Sequence, residues 1–116
     1  MKKKIIYCLI LVFIFSCNKN KYPLIPIENI NKEYSACLAS TEKNPSSIVI
    51  YVEGELDGSA ALLLKDQYDS LYHQVYTFTD GEFNDTLLLD WYDTFCYFKY
   101  QPLNVKNGKL KIHYFF

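Results

Sequence analysis

From Ile48 to Phe116 apolar and polar residues alternate with a period of two, and no other feature limits the fold so tightly. In "IVIYVEGEL", Ile48, Ile50 and Val52 fall on one side, and Val49, Tyr51 and Glu53 on the other. In "KLKIHYFF", Leu110, Ile112, Tyr114 and Phe116 alternate with Lys109, Lys111 and His113. Successive side chains of a strand point to opposite faces, so these runs read as half-buried sheet. Between them lie "SAALLLK", "LYHQVYTFT", "EFNDTLLLDWY" (with Leu87, Leu89 and Trp91 on one face) and "FCYFKY". Turn signals separate the runs. Gly54 and Gly58 bracket "ELD", "KDQYDS" is a polar break, and Asp93-Thr94, Gln101-Pro102 and Asn107-Gly108 mark further turns. Asp80-Gly81 is a favoured two-residue hairpin dipeptide and predicts that its flanking strands pair. Six or seven short strands with a turn roughly every ten residues predict an all-β fold, a small antiparallel β-sandwich over residues 47–116.

Upstream, Pro23, Pro26 and Pro45 among scattered Asn and Lys argue against a long helix before Ser47. Residues 17–46 read as a tether, extended near its first two prolines, with a short helix or turn around Asn31 to Ser40.

The first sixteen residues have a different character. Lys2, Lys3 and Lys4 precede an uncharged, apolar run from Ile5 to Ser16. A spanning helix needs roughly twenty apolar residues, so the run fits a cleaved secretory leader better than an uncleaved anchor helix. It ends Ile14-Phe15-Ser16-Cys17. This resembles the lipobox of bacterial lipoproteins: an aliphatic residue at −3, a small residue at −1, then the cysteine that carries the lipid. Phe15 at −2, with a Lys-, Asn-, Ile- and Tyr-heavy chain that lacks Arg, is similar to lipoproteins of the Bacteroidota. The resemblance implies a signal peptide over residues 1–16 and a lipid on Cys17. One acyl chain binds a membrane only marginally and two or more hold it, so a multiply acylated Cys17 would anchor the domain without a spanning segment. Asn18 in place of Asp after that cysteine implies the outer membrane. The basic "NKNK" that follows, in place of an acidic run, implies its periplasmic face.

Cleavage would leave 100 of the 116 residues, one small domain. Losing Lys2, Lys3 and Lys4 takes the 12 basic residues to 9 against 13 acidic ones, a net charge of about −4. With that balance and no Arg, nucleic acid is not an expected partner. The 11 Tyr and 8 Phe suit a pleated core, and also an aromatic platform for a sugar or a protein.

Few residues suggest chemistry. Cys8 leaves with the leader, so Cys37 and Cys96 remain; the pair permits a disulfide, or Cys96 is a small buried hydrophobe in an aromatic strand. His73 and His113 lie in predicted strands with no Cys or His at ligand spacing, so no metal is expected. Acids cluster at Glu53, Glu55 and Asp57, and again at Asp80, Glu82, Asp85, Asp90 and Asp93, where turn chemistry accounts for them. No nucleophile elbow, phosphate loop or H-E-x-x-H occurs, and no cofactor is expected. Asp69-Ser70-Leu71 and Asp85-Thr86-Leu87 resemble short O-glycosylation sites of exported Bacteroidota proteins.

The leading functional expectation is a non-enzymatic, lipid-anchored binding or structural module of the cell envelope, with a protein or glycan partner. A narrower version is an immunity or inhibitor lipoprotein. The rival is a small glycan hydrolase using Asp90 and Asp93, which flank Trp91-Tyr92. Residues three apart on a strand face opposite ways, so those two acids converge only if the chain turns between them.

Overall fold

The computed structural model describes residues 23–116; the leader and Cys17 lie outside the described residues. The chain forms seven strands: β1 (Tyr34–Ala39), β2 (Ser47–Leu56), β3 (Ala60–Lys65), β4 (His73–Phe78), β5 (Gly81–Asp90), β6 (Phe95–Pro102) and β7 (Gly108–Phe115). They make two antiparallel sheets, one of four strands in the order β1-β6-β3-β4 and one of three in the order β5-β2-β7. The architecture is all-β, as the alternation predicts.

The period-two faces meet between the sheets. Ile48, Ile50, Val52, Leu56 and Ile112 are buried from the three-stranded sheet. Leu38, Ala60, Leu62, Leu64, Phe78, Cys96, Phe98 and Tyr100 are buried from the four-stranded one. Each large side chain taken fully out of water favours folding by roughly 1.5–3 kcal/mol. Phe78 joins the layers, its ring centroid 5.0 Å from that of Phe83 on β5 and 6.0 Å from that of Tyr100 on β6. The buried Tyr100 hydroxyl donates to the Ile30 carbonyl at 2.7 Å, and burial pushes its pKa up to about 12.

Three expectations need correction. Residues 23–46 are not only a tether: Ile25 and Leu38 sit in the core, and Asn31–Ser40 begins in a turn, where the Lys32 amide donates to the Asn29 carbonyl at 3.3 Å, and continues as strand β1 rather than a helix. Tyr34, Ala36 and Leu38 turn inward opposite Tyr100, Phe98 and Cys96, so this short run of small residues is held by its neighbour β6. The second concerns Asp80-Gly81, which is not a hairpin. Strand β4 pairs with β3 and β5 pairs with β2, so the dipeptide turns a corner between sheets. Asn107-Gly108 does the same between β6 and β7. The third is the disulfide candidate. Cys37 lies opposite Tyr97 on the outward face, and Cys96 opposite Leu38 on the inward face of the same sheet. Both are free thiols, one exposed and one buried, and burial pushes that of Cys96 up to about 12.

The free edge of β7 is partly covered. The Ile25 amide donates to the Ile112 carbonyl at 2.8 Å, the Tyr114 amide donates to the Pro23 carbonyl at 3.1 Å, and Leu24 bridges His113. An uncovered edge is a template for unwanted pairing, and this segment occupies it.

Candidate binding site

Two connections meet at the end of the sandwich where β3 and β5 finish. The β3–β4 connection contributes Asp66 and Tyr68, and the β5–β6 connection Trp91, Tyr92 and Asp93. With Asp90 at the end of β5, these six residues line a groove of about 260 Å³. The chain therefore does turn after Asp90, which the convergence of Asp90 and Asp93 requires.

Asp93 organises this end. Its Oδ2 accepts the Gln67 amide N–H at 2.7 Å, and its Oδ1 accepts the Gln67 side-chain amide at 2.8 Å and the Phe95 N–H at 3.2 Å. Desolvation opposes the charged form, but these donors outweigh it and hold the carboxyl below its ordinary 3.8. Asp66 ties its own loop, accepting the Tyr68 and Asp69 amides at 2.9 and 2.8 Å, an Asx-type turn. Trp91 is fixed at both ends: its backbone amide donates to the Ser46 carbonyl at 3.2 Å and its indole N–H to the Phe95 carbonyl at 3.0 Å. Around these fixed groups Tyr68 and Tyr92 stand 84% and 76% exposed. Large rings left in water on a rigid frame offer a stacking surface, and the carboxylates offer acceptors for hydroxyl or ammonium donors.

The chain matches no protein-family model, no curated protein and no solved structure.

Other surfaces are less suited to a ligand. A broader depression of about 570 Å³ lies over Gly54, yet Glu53 faces Lys111 and Glu55 faces Lys109 across it, so its charges largely offset one another. Gly54 has φ +148°, and a Cβ there would overlap the Lys109 carbonyl, so the hollow has a backbone cause. On the outer face of the four-stranded sheet, the Tyr72 ring already has Lys99 at 4.3 Å and Lys65 at 5.3 Å, and Lys65 also lies 5.3 Å from Tyr97. Those tyrosines already have cations over them.

His73 is exposed on β4, 3.4 Å from Asp69, while His113 sits on β7, half-buried on the outer face. Among the described residues no group of three or more His, Cys, Asp or Glu is placed to hold a metal ion. Ser70 is exposed in the β3–β4 connection, whereas Thr86 is exposed within β5, opposite Tyr51. Asp90, Trp91, Tyr92 and Asp93 are legible in the sequence as acids bracketing aromatics. Asp66 and Tyr68 are not, because "KDQYDS" carries only a loop signal; its one hint is a tyrosine among polar turn residues.

Proposed function

We propose that this chain is a non-catalytic, lipid-anchored binding protein of the cell envelope, held through Cys17 at the periplasmic face of the outer membrane. Its ligand site is the groove of Tyr68, Trp91 and Tyr92. The observation that supports this most is the exposure of Tyr68 and Tyr92, from two different connections, around one groove. A partner with an apolar or sugar face would stack there, and Asp66 and Asp90 would accept its donors. The occupation of Asp93 favours binding over hydrolysis. A carboxyl whose oxygens take three donors, with its pKa lowered, is a poor proton donor near neutral pH.

The test is affinity capture from cell envelopes with the lipidated protein, run beside the Tyr68→Ala/Tyr92→Ala double variant. A partner kept by the parent and lost by the variant is the expected result. Equal retention would remove the groove from the proposal. Glycan cleavage abolished by Asp90→Asn would replace binding with catalysis.

A further inference from the structure

The carboxylates of the groove have no cation among them. It gathers Asp66, Asp90 and Asp93 with Tyr68, Trp91 and Tyr92, and no lysine or histidine lines it. The lysines of the two sheets are engaged elsewhere. Lys109 and Lys111 lie opposite Glu55 and Glu53, while Lys65 and Lys99 sit over the Tyr72 ring, with Lys99 also 3.6 Å from Glu33. The β1–β2 connection reaches this end through the bond from the Trp91 amide to the Ser46 carbonyl. It carries Glu42 beside Lys43 and adds no net charge.

Acceptors are left over as well. Asp66 takes both of its amide donors through Oδ1, which leaves Oδ2 without one. The Asp90 carboxylate enters no hydrogen bond or ion pair among the described residues. Asp93 keeps its charge through hydrogen-bond donors and not through a neighbouring lysine. Any ligand that covers the groove strips water from these groups. A neutral ligand leaves their charges buried and uncompensated, whereas a cation offsets that cost. Aromatic faces attract the same group, and its N–H donors suit the free oxygens. We propose that the ligand of this groove is an organic cation, an ammonium or guanidinium group on an apolar stem. The stem lies on Tyr68, Trp91 and Tyr92, and the N–H groups donate to Asp66 and Asp90. This assignment rests on the groove being the binding site and adds the sign of the partner's charge. A lysine or arginine side chain of a protein supplies such a group, and so does a free amine.

Trp91 is the one tryptophan of the chain, so intrinsic fluorescence reports on this groove directly. The full chain in a neutral detergent is titrated with an acetylated, amidated glycyl-lysyl-glycine and with the same peptide carrying norleucine in place of lysine. Butylammonium and a neutral disaccharide complete the set. The lysyl peptide should bind about tenfold more tightly than the norleucyl one. That advantage should vanish as ionic strength rises from about 0.01 to about 1 M, where the screening length falls to about 3 Å. Asp66→Asn/Asp90→Asn should bring the two peptides to equal affinity. Asp90→Asn alone, which breaks no hydrogen bond within the protein, should reduce the preference about threefold if the double variant fails to fold. Butylammonium binding as tightly as the lysyl peptide assigns a free amine, and tighter peptide binding assigns a protein side chain; both support the cation. Equal binding of lysyl and norleucyl peptides, or response to the disaccharide alone, lost in Tyr68→Ala/Tyr92→Ala, overturns the cation and leaves the groove as the binding site. No response to either cation up to about 10 mM also overturns it, while capture from envelopes decides the groove separately. A response to the lysyl peptide that is unchanged in the tyrosine variant would overturn both.

Discussion

Asp93 and the two cysteines carry the sharpest consequences for single residues. Replacing Asp93 with Asn removes a charged acceptor of three hydrogen bonds and should cost about 1–3 kcal/mol, read from the shift in a urea midpoint. The same carboxyl gives a pH dependence. Its folded pKa lies below the unfolded value, so its stabilisation is complete above about pH 4 and is lost as pH falls through the folded pKa. Asp93→Asn should therefore lose less stability than the parent as pH drops below about 4, a comparison that urea titrations at several pH values provide. For the thiols, a maleimide added to the folded protein should label Cys37 promptly and Cys96 only on unfolding; a Cys37–Cys96 bridge in the non-reduced mass spectrum would contradict the opposed faces. Sequence reading singles out Cys37 and Cys96 as a candidate pair but does not reveal that they face apart, because that depends on register against β6. In the same way Asp90 and Asp93 could be picked out as acids around aromatics. The bond from Gln67 to Asp93 could not, since the chain returns there only in the folded state.

At the level of strands, what could be read depended on how clean the alternation was. β2 and β7 declare themselves by β-branched and aromatic residues at every second position. β1, with the sequence YSACLA, carries small residues and follows a stretch rich in Asn and Lys, so its pairing with β6 decides its conformation. Turn dipeptides mark where the chain bends and say nothing of which strands pair afterwards. Asp80-Gly81 therefore predicts a bend correctly and a hairpin wrongly. The prolines around Ile25 correctly suggest an extended segment, but Ile25 is 3% exposed against β7. Ile25→Ala should cost about 2–4 kcal/mol in chemical denaturation, a loss that a solvated tether would not show. Within β2, Gly54→Ala must place a Cβ at φ +148° against the Lys109 carbonyl. It should destabilise by about 2 kcal/mol, lowering the melting temperature by roughly 10 °C in a domain of this size.

For the molecule as a whole, the sandwich follows from period-two faces that must be covered, while the order of strands follows from long-range pairing that no local pattern reveals. Of the five strand pairings, only β3 with β4 joins neighbours in the chain. Such non-local topologies fold slowly, so stopped-flow refolding from urea should take milliseconds to seconds rather than microseconds. The two ends of the described chain share one ladder, since Pro23–Ile25 lies along β7 and β7 completes the sheet centred on β2. That arrangement sets a rule for assembly. Until β7 has docked on β2, the Pro23–Ile25 segment has no strand to close against. The two behave as latch and catch, and loosening either one releases the other.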